Sequence, residues 1–337
     1  MPFNMKNQFY AWVSFQRRPV SMQSDFGYDL KFLKNTSKSK FLKPIDYLLK
    51  GSRTVYNLIK DRPNELWIQL PPTPLLSIAL LYKKINKKAV LIVDCHNGTF
   101  WGKWKKYLKT DQLNKCDLII AHNSVIRDIA LELGVDGNKM MVLETKPAEK
   151  KITREVPAKT SDRPQVLMPC SFNIDEPVEV VFDAAKQIPN VDILISGPSE
   201  RGISRFDYSK KPDNIKLLGY LSSEEYETTF RQSDIVLGLT TEYHIQLSVA
   251  NEATGFEVPM VISDTKLLRE LFYKGAIYVE TLNATSIASG IVEALDKKLV
   301  MRGEVAQLKK ERMIKWNTMA NAVMDRIEQL QGLWDID

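Results

Sequence analysis

A polar helical segment near residue 250, followed by a short apolar strand, has residue types that could bind an anion or a sugar. The pattern predicts a helix beginning near Gln246, a turn at Gly255 and a buried strand over Met260–Ile262, after a strand over Asp234–Leu239. The first N–H groups of a helix lack intrahelical partners and attract anions. Glu252 lies deeper in this helix, where its carboxylate could bind a ribose or sugar hydroxyl. The alternative is an ordinary solvent-facing glutamate.

Histidines follow two other predicted strands. Asp94, His96 and Asn97 end one strand, and His122 follows the strand Asp117–Ala121. Ligands of open parallel sheets bind at the carboxyl ends of the strands, and histidine changes protonation near neutral pH. We therefore expect these side chains to take part in chemistry or acceptor binding. The alternative is loop histidines that make only local hydrogen bonds.

Two further segments could bind phosphate groups. Gln16, Arg17 and Arg18 follow the first strand, where arginines could hold an acceptor phosphate through paired hydrogen bonds. After a later strand, Gly197 would permit close backbone approach to a diphosphate and Arg201 would supply positive charge. A solvated turn is an equally good interpretation of each segment.

Short apolar segments alternate with helical segments along the chain, which predicts parallel sheets covered on both faces. We expect residues 1–146 to form one domain, 147–164 a linker, 165–303 a second domain and 304–337 a final helical segment. The predicted strands are Tyr10–Phe15, Asp29–Phe32, Leu66–Leu70, Ala89–Asp94, Asp117–Ala121, Met140–Leu143, Gln165–Pro169, Val191–Ser196, Ile215–Leu218, Asp234–Leu239, Met260–Ile262 and Ala276–Val279.

Four motifs occur in an order that resembles a known enzyme family. They are Glu252-Ala253 followed after five residues by Pro259-Met-Val-Ile262, the segment Ile215–Leu221 with Ser233–Val236, the strand and loop Leu167–Phe172, and Asp94–Asn97. Together they resemble family 4 glycosyltransferases of bacterial polysaccharide and glycolipid synthesis, which have two Rossmann-like domains facing across a cleft (the GT-B fold). In this fold class the last helix commonly crosses back to the N-terminal domain.

The sequence departs from the family pattern at three places. His244 stands where the family carries a first glutamate, and Glu242 is two residues out of register. No basic residue occurs between Ser171 and Pro177, and Phe15–Pro19 replaces a glycine-rich loop. These departures bear on the donor and its phosphate contacts, whereas the fold prediction does not depend on them.

The resemblance, read together with the strand-end positions, assigns roles to individual residues. It implies transfer with retention, no metal and no cofactor, with a nucleotide-diphosphate sugar as substrate. Catalytic roles are expected for His96, Glu252 and Asp94. Donor binding is expected for Ser171, Phe172, Gly197, Arg201, Tyr220, Glu242, His244, Gln246, Ser248 and Asn251, and acceptor binding for Gln16, Arg17, Arg18, Asn97 and His122.

Composition and charge limit the protein class. The 337 residues include three scattered cysteines, too few for a disulfide framework or a zinc site. The longest apolar stretch is far shorter than a membrane span requires. Residues 1–150 hold 25 Lys and Arg against 13 Asp and Glu, a net charge of +12, while the remainder nets −6 (22 against 28). This asymmetry indicates an anionic partner, and no nucleic-acid-binding motif is present.

Two basic segments also carry apolar side chains. Residues 40–60 and the run Trp101–Tyr107 could both rest at a membrane interface, with lysines near the headgroups. An ordinary surface helix is the preferred interpretation of the first segment and a membrane contact that of the second. We therefore expect a cytoplasmic protein, peripheral on the inner face of an anionic membrane.

These observations predict a hexosyltransferase-type enzyme. It would move a sugar from a nucleotide-diphosphate donor to a carbohydrate or polyprenyl-linked acceptor. A sugar-nucleotide epimerase of the same fold is one alternative. A non-catalytic nucleotide-sugar-binding or scaffold subunit is the other, favoured by His244 and by the missing basic residues after Ser171.

Overall fold

Two parallel β-sheets of six strands each form the framework of the chain. The computed structural model describes residues 7–36, 41–150, 155, 157–159 and 161–332. Contacts divide the chain into two units, residues 1–146 with 315–337 and residues 147–314. The prediction of an α/β fold with two parallel-sheet domains is confirmed.

The first unit alternates strands and helices. Its elements are β1 (Asn7–Ala11), α1 (Arg17–Phe26), β2 (Asp29–Phe32), α2 (Lys43–Asp61), β3 (Glu65–Leu70), α3 (Pro74–Ile85), β4 (Val90–Cys95), the 3-10 helices Asn97–Thr99 and Gly102–Tyr107, α4 (Thr110–Leu113), β5 (Leu118–Ala121), α5 (Ser124–Glu132), the 3-10 helix Gly137–Lys139 and β6 (Met140–Val142).

The second unit repeats this alternation and leads into the last helix. Its elements are β7 (Gln165–Pro169), α6 (Val178–Gln187), β8 (Asp192–Ser196), α7 (Ser199–Ile203), the 3-10 helix Tyr208–Lys210, β9 (Ile215–Gly219), α8 (Ser223–Gln232), β10 (Ile235–Gly238), α9 (Ser248–Phe256), β11 (Met260–Ser263), α10 (Lys266–Leu271), β12 (Ala276–Val279), α11 (Ala284–Asp296) and α12 (Lys298–Gly332).

The strand orders place a switch point in each sheet. The first sheet runs β2-β1-β3-β4-β5-β6 and the second β12-β11-β10-β7-β8-β9. The chain therefore reverses its direction of winding between β1 and β3 in the first sheet, and between β7 and β10 in the second. Crevices at the carboxyl ends of such strands are where open α/β sheets bind ligands.

Central strands are buried on both faces, which explains their continuous apolar sequence. In β3, Leu66, Ile68 and Leu70 belong to the core on one face of the sheet, whereas Trp67 belongs to the core on the other. This alternation follows from the period of two along a strand. Helices cover both faces because each face would otherwise expose an apolar surface.

Some predicted boundaries were wrong. Strand β1 ends at Ala11, not at Phe15, whereas α9 begins at Ser248, close to the predicted start near Gln246. Gly255 lies inside α9, and Glu257 makes the left-handed turn that ends the helix (φ 62°). Gly255 is required for packing, because a Cβ there would lie 2.0 Å from the Ala148 carbonyl oxygen.

The last helix begins at Lys298, six residues before the predicted start. Along its first part, Met301 belongs to the core of the second unit. Farther along, Trp316, Ala320, Val323 and Ile327 belong to a core of the first unit. One continuous helix thus contributes apolar side chains to both units.

Candidate functional site

Asp94 is the centre of a buried polar group at the carboxyl end of β4. Arg18 donates from Nε to both carboxylate oxygens at 3.2 Å and from Nη2 to Oδ1 at 3.1 Å. His122 Nε2 lies 3.1 Å from Oδ1. Burial alone would raise the pKa of Asp94, but the charge of Arg18 and the contact with His122 hold it well below its usual value. Asp94 is therefore an ionised, fully paired carboxylate.

This arrangement bears on the predicted roles of Arg18 and Asp94. Arg18 is 4% exposed and also donates to the carbonyl oxygen of Leu143 at 2.8 Å, so it is a buried partner of Asp94. Asp94 is 0% exposed. It can act only through the residues that it orients.

His96 and His122 lie next to each other above this ion pair, with ring centroids 5.1 Å apart and nearly perpendicular planes. Burial and the neighbouring His122 lower the pKa of His96 to about 3, despite the opposing effect of Asp94. Burial and Arg18 likewise lower the pKa of His122. Both rings are neutral at pH 7, so they are suited to hydrogen bonding and not to acting as cations. We call Arg18, Asp94, His96 and His122 the strand-end cluster.

The remaining predicted acceptor residues are Gln16, Arg17 and Asn97, which lie next to members of this cluster in the sequence. Asn97 is half-buried and begins a short 3-10 helix, directly after His96. Gln16 is half-buried and precedes α1, and Arg17 is exposed on its first turn. The structure therefore brings Arg18, Asp94, His96 and His122 into contact and leaves Gln16 and Arg17 near the surface.

Sequence reasoning missed a buried amide at the same edge of the sheet. Gln69 is 4% exposed, lies in register with Asp94 on the adjacent strand, and has an Nε2 without a hydrogen-bond partner among the described residues. The sequence feature that could have identified Gln69 is a glutamine within an otherwise largely apolar strand. The Nδ2 of Asn123 is in the same situation, while its Oδ1 caps α5 by accepting from the Ile126 N–H at 2.9 Å.

In the second unit, the loop after β7 is shaped around an internal carboxylate. Glu176 accepts from the backbone N–H of Ser171 at 3.1 Å and of Asn173 at 2.7 Å. Burial raises the pKa of Glu176, and these backbone donors oppose the rise. Sequence reasoning missed Glu176, which occupies donors that the loop would otherwise offer to an anion.

Two predicted donor-binding residues near this loop have structural roles. Phe172 is fully buried in the core, in a left-handed conformation (φ 53°). Gly197 has a φ of 136°, and a Cβ there would lie 1.9 Å from the Cys170 carbonyl oxygen. The loop itself therefore requires the glycine.

Arg201 and Tyr220 remain accessible. Arg201 lies on α7 and donates from Nη2 to Asn173 Oδ1 at 2.7 Å, so its guanidinium lies at the β7 loop. This places positive charge beside Asn173, within the segment 171–177, which has no basic residue of its own. Tyr220 follows β9 and is 87% exposed.

Helix α9 carries Glu252 in a fixed position. Glu252 is 6% exposed and accepts a short hydrogen bond from the Tyr226 hydroxyl on α8. Ser248 is exposed on the first turn. Leu247, at the N-cap, has no polar side chain with which to cap the helix. The first turn of α9 thus presents small polar and backbone groups, as expected for an anion-binding helix terminus.

Asn251 lies in a hydrogen-bond network that joins two helices. Its Oδ1 accepts from Gln246 Nε2 at 3.0 Å and from Arg312 Nη1 at 2.8 Å. With 5% exposure, Asn251 ties the start of α9 to α12. Gln246 is held in the same network, and the part played by Arg312 was not foreseen from the sequence.

The loop after β10 is joined to the β7 loop through Asp175. Thr240 Oγ1 donates to Asp175 Oδ2 at 2.8 Å, and the Thr241 N–H donates to the Asp175 carbonyl oxygen at 2.9 Å. In this loop His244 is 2% exposed, with Nδ1 3.7 Å from Glu242 Oε2. Burial lowers the pKa of His244, opposed by Glu242 and Asp175.

Two features are absent from the described residues, which are 7–36, 41–150, 155, 157–159 and 161–332. No group of three or more His, Cys, Asp or Glu side chains is arranged to hold a metal ion. No helix in the described ranges has the length and apolar character of a membrane span.

The comparisons with known proteins agree with this architecture. Residues 177–329 match the family model described as glycosyl transferase-like. No curated protein shows significant sequence similarity to the chain. The two-domain GT-B fold is shared with solved enzymes.

Three solved structures illustrate the likeness. Anabaena HepE in complex with UDP-glucose has a TM-score of 0.72 at 12% identity, over 96% of this chain and 100% of that chain. Sucrose-phosphate synthase from Thermosynechococcus elongatus has a TM-score of 0.69 at 13% identity, over 97% and 100%. A UDP-N-acetylglucosamine 2-epimerase from Listeria monocytogenes, itself assigned provisionally, has a TM-score of 0.56 at 14% identity, over 89% and 82%.

Proposed function

Because the chain has the GT-B fold and its C-terminal part matches the glycosyl transferase-like family, we propose that it transfers a sugar from a nucleotide-diphosphate donor to a carbohydrate or lipid-linked acceptor. The observation that carries this proposal is α9, which has an exposed Ser248 on its first turn and a buried carboxylate, Glu252, held one turn farther along by Tyr226. It follows β10, beside the switch point of its sheet.

The donor is assigned to the second unit. The diphosphate binds at the first turn of α9, near Ser248, where the helix dipole favours negative charge. Arg201 supplies the cation that the β7 loop lacks. Glu252 orients a hydroxyl of the ribose or sugar. In this mechanism the departing diphosphate is stabilised by backbone N–H groups and side chains placed in advance, without a metal and with retention at the anomeric carbon.

The acceptor is assigned to the first unit, at the strand-end cluster. His96 keeps part of its surface accessible, and its neutral ring can hydrogen-bond a hydroxyl of the acceptor. Asp94 and Arg18 fix His122, and His122 packs edge-on against His96. Asp94 is thus a positioning residue in this proposal.

The protein is further proposed to act at the cytoplasmic face of an anionic membrane. Helix α2 exposes several large apolar side chains, including Leu48 at 69% and Ile45 at 55%, in a unit rich in lysine. This differs from the preferred sequence interpretation of α2 as an ordinary surface helix, since such a helix would turn most of these side chains inward. Trp101 and Tyr107 add exposed aromatic surface on the neighbouring segment.

One assay tests the enzyme against its alternatives. The purified protein is incubated with UDP-sugars and other nucleotide sugars, and nucleotide diphosphate is measured with and without acceptor. Acceptor-dependent release supports the transferase. Conversion of the donor to an isomeric nucleotide sugar would identify an epimerase, and donor binding without turnover would identify a non-catalytic subunit. A thermal-shift screen of nucleotides chooses the donor first.

A further inference from the structure

An open apolar groove of about 810 Å³ lies in the first unit, between α2, α3 and the segment 102–113. Its lining includes Trp12, Tyr47, Val55, Tyr56, Ile78 and Tyr107. The volume falls within the roughly 300–1,000 Å³ that small-molecule sites occupy. The groove contains none of the residues of the strand-end cluster.

The walls of the groove are held in place by specific contacts. Trp12 Nε1 donates to Thr54 Oγ1 at 3.1 Å, which fixes the indole beneath α2. Tyr47 stacks on Trp12, with centroids 5.9 Å apart, and meets Trp104 edge-on at 6.4 Å. A Cβ at Gly51 would lie 3.2 Å from Ile78 Cδ1, so a glycine at this position of α2 allows α2 and α3 to pack closely along the groove.

The groove is apolar inside and basic along one rim. Lys109 belongs to the lining itself. Lys103, Lys105 and Lys106 are exposed on the 3-10 helix that ends at Tyr107. The groove therefore offers aromatic and aliphatic surface to a chain and positive charge to an anionic head.

One end of the groove reaches the edge of the sheet where the strand-end cluster lies. Trp12 follows β1, and Thr73 and Pro74 follow β3, so all three lie beyond carboxyl strand ends. At the same edge, the backbone N–H of His96 donates to the Leu70 carbonyl oxygen at 2.9 Å, and a Cβ at Gly98 would lie 3.6 Å from the Pro71 ring. A molecule lying in the groove can thus extend its head towards His96.

We propose that this groove binds the hydrocarbon chain of a lipid-linked acceptor, with the acceptor phosphate on the lysine rim and its sugar end towards His96. The proposal rests on the proposed transferase function and names the class of its acceptor. The expected ligand is a single amphiphile with one hydrocarbon chain and a phosphate, because the lining is apolar and the positive charges on the rim complement a phosphate.

Calorimetry on the full-length protein tests this with alkyl phosphates of increasing chain length, farnesyl phosphate and inorganic phosphate. Each methylene buried in the groove should tighten binding about fourfold until the groove is full. Ser77→Trp, on the exposed lip of α3, should fill the groove, and Tyr56→Asp should place a charge in it. Each should weaken binding of the long-chain phosphates at least tenfold.

Leu81→Trp is the matched control, because Leu81 is exposed one turn farther along α3 and lies outside the lining. Nucleotide-sugar binding and melting temperature show that each variant is folded. Affinity independent of chain length, or equal to that of inorganic phosphate, would overturn the proposal. So would long-chain binding unaffected by both groove variants, as expected for adsorption to the exposed surface of α2, or binding seen only with a change in oligomeric state.

The result can be separated from the fate of the enzyme assignment. If alkyl phosphates bind in the groove while no nucleotide sugar is turned over, the transferase proposal fails and the groove stands as a lipid site. If turnover is seen with water-soluble acceptors while the groove variants and the control bind alkyl phosphates alike, the groove proposal fails and the transferase stands.

Discussion

Tyr226 donates its hydroxyl hydrogen to the carboxylate of Glu252, joining α8 to α9. The bond fixes the one carboxylate of α9 in a buried position. A carboxylate held in a fixed position can accept from a ligand hydroxyl without first being ordered. The contact supports the role that the family resemblance implies for Glu252. A side chain that is already ordered in the folded protein loses little further conformational entropy when a ligand binds.

Glu252→Gln is expected to lower turnover by roughly 100-fold while the fold persists, in line with the loss of one hydrogen-bonding group placed in advance. The glutamine oxygen can still accept from Tyr226. Turnover and melting temperature are measured together. Tyr226→Phe is the matched variant, which keeps the carboxylate and removes only its orientation, so it should lose less activity. Near-normal turnover of Glu252→Gln would remove this residue from the site.

The strands were predicted to within a few residues because doubly buried strands read as apolar segments between helices. All twelve appear in the structure, and their parallel order followed from the alternation with helices. The predicted end of β1 was wrong because Trp12, Val13 and Phe15 are apolar but lie beyond the end of the strand, and Trp12 donates to Thr54 on α2. No pattern in the neighbouring sequence predicts such a tertiary contact.

Only part of the candidate site could be predicted from the sequence. Asp94, His96 and His122 were found because polar residues at strand ends are a local pattern. The pairing of Arg18 with Asp94 spans 76 residues and was not visible. Gly197 and Phe172 were assigned to a ligand although the loop itself requires them, and Glu176 was missed because its partners are backbone N–H groups.

Asp94→Asn should destabilise the protein by roughly 3–5 kcal/mol, because it leaves Arg18 buried without its counter-charge. The free energy of unfolding is measured by urea titration. The double variant Arg18→Met, Asp94→Asn should recover part of the loss, since it removes the unpaired charge. Equal stability of Asp94→Asn and the unchanged protein would contradict the buried ion pair.

The folded state should lose stability as the pH falls below about 6.5, the usual histidine value. The pKa of His96 is lowered to about 3 in the folded state, so between these pH values the unfolded chain binds a proton that the folded chain does not. Stability from this group is therefore complete above pH 6.5 and declines on acidification. By linkage the loss at pH 5 is about 1–2 kcal/mol.

His96→Asn tests whether His96 causes this change of the free energy of unfolding with pH. The variant cannot titrate, so its stability should change less between pH 7 and pH 5 than that of the unchanged protein. Urea midpoints at the two pH values provide the measurement, with a Lys87→Asn variant at an exposed position as control. His122 has a lowered pKa as well and should supply a residual slope. An identical pH dependence in the variant and the unchanged protein would show that His96 titrates normally.

We expect the protein to bind anionic vesicles through its first unit. Residues 1–150 carry a net charge of +12, and Lys103, Lys105 and Lys106 are exposed beside Trp101 and Tyr107. Basic residues near an anionic surface each add attraction that salt screens. Changing these three lysines to glutamate should weaken vesicle binding at least 100-fold at low salt.

The matched control changes Lys84, Lys87 and Lys88 to glutamate, which alters the net charge equally at exposed positions near the end of α3. Sedimentation with vesicles of mixed anionic and neutral lipid, at low and high salt, compares the three proteins. Aromatic insertion at Trp101 predicts a part of the binding that survives high salt. If both triple variants lose binding equally, the attraction comes from net charge alone. If the unchanged protein stays in the supernatant at low salt, the membrane assignment is wrong, and the positive charge of this unit must serve a soluble anionic acceptor.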